Sequence, residues 1–333
     1  MTNVPALDGV LVQWGERLFY PGNRIVKAAP LPRLHGNSQQ RAAAIRRRIV
    51  ATVARRAPQV MVKVTGGGRG MGAIAAHFRY ISKNGRLDIE DDLERTHQGT
   101  EALGDLAEQW RLGGSLIDEV GYRREAFNIM LSMPKGTDAQ LLKVAAREFA
   151  AEELREHRWV MVLHEHQANP HVHLSVRAEA IDGTRLNPRK ADLHRWRETF
   201  AQKLRGWGID AEASRQATRG ATQRYDPLWR MKAREDGRLR QAGATGKSGQ
   251  AYQLSRDEAM TSWSQIALAL EQSADGQDKA LAQGIRRFLD ESPYMKELGP
   301  QRSFNGPIRP STPDRSGPTA SAPTMDKDPT IER

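Results

Sequence analysis

A chain of 333 residues with 38% hydrophobic residues and a formal net charge of +11 has room for one large domain or two smaller ones, with part of its length too polar to pack. The absence of cysteine excludes a disulfide framework and any thiolate metal site, so a bound metal must rest on histidine, carboxylate or water. No apolar run reaches membrane-spanning length and no signal pattern opens at Met1. The protein is therefore expected in the cytoplasm without membrane insertion, and its positive excess favours a polyanionic partner, nucleic acid ahead of lipid.

Residues 1–37 show no clear period. Ser38 reads as the N-cap of a helix that runs to about Arg56 and is ended by Pro58. Its arginines (Arg41, Arg46, Arg47, Arg48, Arg55, Arg56) fit a solvated basic face or a phosphate-contacting arm equally well. Gln59–Thr65 reads as a strand, 66–72 as a glycine-rich loop, and the next stretch as a helix from about Met71 to Lys83. Strand, glycine loop and helix suggest backbone amides offered to a phosphate, but a Walker lysine and a dinucleotide fingerprint are both missing, so no nucleotide cofactor follows. At 100° per residue Ile74, Phe78 and Ile81 form the apolar stripe of this helix. Tyr80 lies about 120° from the stripe, with His77 on its side, facing a cleft.

Residues 86–121 begin acidic (Asp88, Glu90, Asp91, Asp92) and then read as helical through Trp110 to Glu119. Ala126–Met133 alternates as a strand, Asp138 caps a helix to about His157, and Lys190–Trp207 is a basic amphipathic helix. Residues 214–240 are arginine-rich and turn-like, 255–289 form a helical patch, and the proline-, serine- and threonine-rich tail beyond about Gly299 reads as disordered. This order implies an α+β fold, an antiparallel-rich central sheet with flanking helices, followed by a helical and then a disordered C-terminal region. It divides into a basic extension (1–57), a central domain (58–225), a helical accessory region (226–298) and a tail (299–333).

The chemistry concentrates between His164 and His173, which hold four of the nine histidines. Apolar runs on either side read as two antiparallel strands joined by a polar loop. Side chains two apart on a strand share a face, so His171 and His173 project together, and His164 reaches the same point from the neighbouring strand. Three imidazoles on one sheet surface make a facial metal site with open positions. Three neutral ligands leave a divalent cation uncompensated, which suits a phosphodiester whose oxygens it polarises. Tyr80 would be the nucleophile, forming a phosphotyrosine ester. Ionising a tyrosine at neutral pH costs about 4 kcal/mol, to be offset by a nearby metal or base.

The segments VKVTGGGRGMGAIAAHFRYISKNGRL and VMVLHEHQANPHVHLSVR resemble the motifs of plasmid and conjugative-element relaxases, the HUH endonucleases of the mobilisation-protein and T-DNA border-endonuclease kind. The pattern His, Pro, His-x-His is carried by His164, Pro170, His171 and His173, and the nucleophile motif by Tyr80-Ile81 and Gly85. FNIMLSMPKGT and LNPRKADLHRWRETFAQKLRGWGIDAEASR are also similar in order and spacing, so the resemblance covers roughly residues 58–220. It implies a palm-like HUH relaxase fold. It further implies metal-assisted nicking and rejoining of one strand at an origin of transfer, through a covalent 5′-phosphotyrosyl DNA intermediate on Tyr80. Magnesium or manganese would be the divalent cofactor. The partners would be single-stranded origin DNA, relaxosome accessory proteins and a type IV secretion coupling protein, in a bacterial cytoplasm from which the protein is carried with the strand into a recipient.

This chain departs from the pattern in three ways. About 58 residues precede the domain. His166 stands where relatives often have an acid, leaving His166, Glu165 or the metal to activate Tyr80. Some relatives use a histidine nucleophile, which makes His77 the alternative. Lys63, Arg69, Lys83 and Arg177 are candidate phosphate contacts. Other readings are a rolling-circle replication initiator, in which the His-x-His motif usually precedes the tyrosine, a non-enzymatic basic DNA-binding accessory protein, and a metal hydrolase with water as nucleophile.

Overall fold

The alternating strands Met61–Gly66 (β1), Ala126–Ser132 (β4), Trp159–His164 (β5) and His171–Arg177 (β6) form the larger part of a six-stranded sheet in a computed structural model of the protein, with β1 at one edge. Two short strands, Ile89–Asp91 (β2) and Thr96–His97 (β3), complete it in the order β1-β4-β6-β5-β2-β3, every neighbouring pair antiparallel. The structure describes residues 4–20, 34, 36–165, 169–221, 237 and 249–298. His166, most of the arginine-rich stretch after 221 and the tail from 299 lie outside the described residues.

Register assigns the faces. His164 pairs with His171 and through it with Ser132, while Val162, His173, Met130 and Lys63 form one row across the sheet on the same face. The opposite face (Val62, Ile129, Leu131, Met161, Val172, Leu174) packs on Ala139–Glu153 (α5) and Lys190–Gly206 (α6). Asp138 caps α5 by accepting from the N–H groups of Gln140 and Leu141, each at 2.9 Å. The histidine face is covered by Met71–Ile81 (α3) and Gly99–Leu112 (α4), whose buried Ile74, Phe78, Ile81, Leu106 and Trp110 meet Ile89, Val160 and Val162. Towards β1 the covering stops, and Lys63, Thr65 and the 42%-exposed Met61 face outward.

A second core joins the two ends of the chain. Val4–Phe19 (α1) and Ser38–Val53 (α2) pack with Gln250–Glu271 (α7) and Gly276–Asp290 (α8) around Trp263, followed by the short helix Pro293–Leu298 (α9). The arginines of the α2 region are mostly spent inside the protein. Arg41 meets Glu16, Arg46 meets Asp8 and Asp278, Arg55 meets Asp210 and Arg56 meets Glu291. Arg48 lies between Glu198 of α6 at 2.9 Å and Glu212 at 3.0 Å, tying this bundle to the sheet domain. A phosphate-contacting arm does not fit that arrangement.

Some elements depart from the sequence reading for identifiable reasons. α1 lies where no period is visible because Gly15 holds the contact with α2; a Cβ there would meet Ile45 Cγ2 at 2.4 Å. β2 is hidden by its acids. Glu90 and Asp91 are buried, Glu90 against Arg147 and Lys143, Asp91 against Arg95 and His97. The helix expected to reach Glu119 ends at Leu112, and the patch at 255–289 is two helices broken after Glu271. α2 is capped by Asn37, in a reciprocal box with Gln40, rather than by Ser38.

Candidate active site

Three imidazoles meet on the half-covered face. Ring centroids are 5.1 Å apart for His164–His171, 4.7 Å for His164–His173 and 5.0 Å for His171–His173. One nitrogen from each lies within 4.8 Å of the other two, so the rings would draw closer around one ion with bonds of about 2.1 Å. Two of the rings have their tautomers set by main-chain carbonyls. His164 Nε2 donates to Ile81 O at 2.6 Å, which makes Nδ1 its lone-pair nitrogen, and His171 Nδ1 donates to Asn169 O at 3.0 Å, which makes Nε2 its lone-pair nitrogen. His173 Nδ1 is buried with no hydrogen-bond partner. Burial, reinforced by His164, His171 and His77, pushes the His173 pKa down to about 3. Three convergent imidazoles, two oriented by carbonyls and one held neutral by burial, fit a divalent cation.

The helix α3 brings the next groups. Its apolar stripe is buried, so the off-stripe residues face the cleft beside the triad. Tyr80 is 69% exposed, with its ring 6.5 Å from that of His173. His77 stacks on Tyr80 at 6.1 Å and stands edge-on to His173 at 6.4 Å. Burial lowers the His77 pKa to about 4, and its Nε2 has no hydrogen-bond partner. The carbonyl that orients His164 belongs to Ile81, the residue after Tyr80, so one hydrogen bond fixes the candidate ligand to the turn that carries the candidate nucleophile. Nothing in residue spacing reveals this link, nor the Asn169 carbonyl. Glu165 is exposed, and His166 lies outside the described residues.

Several exposed cations lie on the elements that carry this site. Lys63, Lys83, Arg79, Arg86 and Lys135 are exposed and form no ion pair among the described residues. Lys63 shares the row of His173, Lys83 follows Tyr80 by three residues with φ 53°, and Lys135 N donates to Asn169 Oδ1 beside the triad. Arg69 is exposed at the opposite end of α3 from Tyr80, about 15 Å away at helical rise. Arg177 does not belong with them. It is 2% exposed, and its guanidinium donates to the carbonyls of Trp110 and Ser115, pinning the end of α4 to β6. A DNA contact by Arg177 is thereby corrected to a structural brace.

The glycine loop also takes a different part from the one its pattern suggests. Met71 N donates to Asp118 O at 2.9 Å, Gly72 N to Glu119 O at 3.2 Å and Gly68 N to Ala126 O at 3.1 Å. Those amides are spent on the 113–124 segment and β4 and are not offered to a phosphate. Gly70 allows the approach, with φ +140° and a Cβ position that would lie 2.5 Å from Glu119 O.

Residues 80–209 match the family model for the MobA/VirD2-like relaxase nuclease domain. The match opens at Tyr80 and spans α4 to α6, including all three triad histidines, while β1 and the first part of α3 precede it. A comparison with curated proteins finds no match.

Proposed function

Since residues 80–209 are a relaxase nuclease domain of the MobA/VirD2-like kind, acting in DNA nicking for mobilisation, we propose that this protein cleaves one strand at an origin of transfer by attack of the Tyr80 hydroxyl on the scissile phosphodiester. The observation that carries the reading is the Tyr80 ring 6.5 Å from His173, with Ile81 bonded to His164. Tyr80 Oη forms a bond to phosphorus and the 3′ oxygen leaves, taking a proton. The product is a 5′-phosphotyrosyl strand that a later 3′ hydroxyl can reclaim, so the energy of the bond is conserved for rejoining. His164, His171 and His173 would hold a divalent cation, magnesium or manganese. Bound there, it would polarise the non-bridging oxygens and stabilise charge as it develops. His77, neutral and stacked on Tyr80, orients the phenol and keeps water from its inner edge. Lys63, Lys83, Arg79, Arg86 and Lys135 draw in the single strand, and Arg69 meets it farther along α3. Glu165, His166 or the metal would activate the Tyr80 hydroxyl. Relaxosome proteins and a secretion coupling protein would act with this domain, in bacterial cytoplasm and then in a recipient.

The test uses single-stranded origin oligonucleotides labelled at either end, with manganese or magnesium, run on a denaturing gel. A protein adduct on the DNA 3′ of the nick, lost in Tyr80→Phe, supports the reading. Cleavage without an adduct favours water as nucleophile, and binding without cleavage of the cognate origin favours an accessory DNA-binding protein.

A further inference from the structure

Arg197 on α6 differs from Arg195, Lys203 and Arg205 of the same helix, which all find carboxylates. Arg195 meets Glu153 and Asp192, Lys203 meets Glu152, and Arg205 reaches Glu212 at 3.7 Å. Arg197 is half-buried yet forms no ion pair among the described residues, and its one hydrogen bond is a long one, 3.5 Å to Val62 O on edge strand β1. The adjacent acid, Glu198, is committed to Arg48. Burial alone lowers the Arg197 pKa, with no carboxylate acting against it. Leaving a partly desolvated guanidinium without a counter-charge is costly, and a bound anion would offset that cost.

Its position says which anion. Val62 precedes Lys63, and Lys63 lies in the row Val162, His173, Met130, Lys63 that crosses the sheet from the triad to its edge. At about 4.8 Å between strands, Lys63 stands roughly 10 Å from His173. Arg197 waits beyond it, approaching the same edge strand from the α6 side. Between triad and edge the face is uncovered and unacidic, with Met130 half-buried and Lys63 exposed.

We infer that Lys63 and Arg197 form a two-step phosphate track, which carries the single strand from the triad across the sheet and over its β1 edge. The inference rests on the nuclease reading above and adds the direction of the strand and a residue that reading does not use. A strand crossing the sheet this way would place successive phosphates on cations from opposite sides of β1, which fixes its register at the triad.

The test titrates the full chain, Lys63→Gln, Arg197→Gln and Arg197→Lys with a fluorescein-labelled oligothymidylate of about 12 nucleotides. Anisotropy is read in EDTA from about 50 to 200 mM salt, with melting temperatures alongside. Arg197→Gln should weaken binding several-fold and lower the slope of log K against log salt by about 0.7, as should Lys63→Gln, with the losses adding in the double variant. Arg197→Lys should retain the slope. Arg197→Gln should melt no lower than wild type, since it removes an unpaired cation. An unchanged slope in a folded Arg197→Gln overturns the track while leaving the nuclease reading intact. An unchanged slope with a lowered melting temperature overturns it too and assigns Arg197 to bracing β1. Wild type that fails to bind the oligothymidylate overturns the track, and wild type that also fails to bind the single-stranded origin oligonucleotide overturns the nuclease reading with it.

Discussion

His164 and His173 should fail in different ways when removed, because only one of them holds the fold together. His164 donates to Ile81 O at 2.6 Å within a buried environment, so His164→Ala strands that carbonyl, at about 1–3 kcal/mol. Taking 2 kcal/mol at roughly 2–4 °C per kcal/mol, the metal-free protein should melt about 4–8 °C lower. His173 Nδ1 has no partner to lose and the ring faces the half-open cleft, so His173→Ala should change the metal-free stability by no more than about 0.5 kcal/mol, or roughly 1–2 °C in melting point. With manganese at 100 times its Kd, wild type gains about 2.7 kcal/mol, or roughly 5–11 °C. Both variants should lose that gain. The assay is thermal melting with EDTA or manganese, with far-ultraviolet circular dichroism checking the fold. Equal destabilisation of the two variants in EDTA would refute the division of duties, and a retained manganese shift in His173→Ala would refute the triad.

Other outcomes follow from the same contacts. Arg177→Met leaves the Trp110 and Ser115 carbonyls without their donor and should cost on the order of 3 kcal/mol in a urea melt, without altering single-strand affinity or salt slope at a temperature where it is folded. Gly70→Ala forces a Cβ to within 2.5 Å of Glu119 O at φ +140° and should cost on the order of 2–3 kcal/mol in the same melt. Burial opposes ionisation of Glu90, but hydrogen bonds from Arg147 and Lys143 overcome it and hold its pKa below the usual carboxylate value. That stability is present above the unfolded pKa of about 4.3 and disappears as pH falls through the lower folded value. Glu90→Gln should therefore lie on the order of 2 kcal/mol below wild type at pH 7, with the gap closing below about pH 4.

Much of the site could be read from spacing, because strand and helix periods are strict. The alternation around His171 and His173 put two rings on one face, the pairing of β5 with β6 brought in His164, and the α3 stripe left Tyr80 outside the core. What could not be read was long-range. Arg177 looks like any basic residue at a strand end until Trp110 and Ser115, more than sixty residues earlier, supply its acceptors. The glycine loop resembles a phosphate cradle until the 113–124 segment closes over it. The packing of α1 and α2 on α7 and α8 has no local signature, since Gly15 reads as a helix breaker and only Ile45 makes it a contact. Carbonyl acceptors such as Ile81 O carry no residue-type signal at all.

The central claim is that Tyr80, and not the adjacent His77, takes the strand. Trypsin cuts after arginine and lysine, so Arg69, Arg79 and Lys83 put the two candidates in separate peptides, Gly70–Arg79 with His77 and Tyr80–Lys83 with Tyr80. The measurement is tandem mass spectrometry of the tryptic, nuclease-trimmed adduct formed on single-stranded origin DNA with manganese. Nucleotide mass on Tyr80–Lys83, located on the phenol, is the predicted result. The same mass on Gly70–Arg79, located on His77, would contradict it and make Tyr80 the residue that orients a histidine nucleophile.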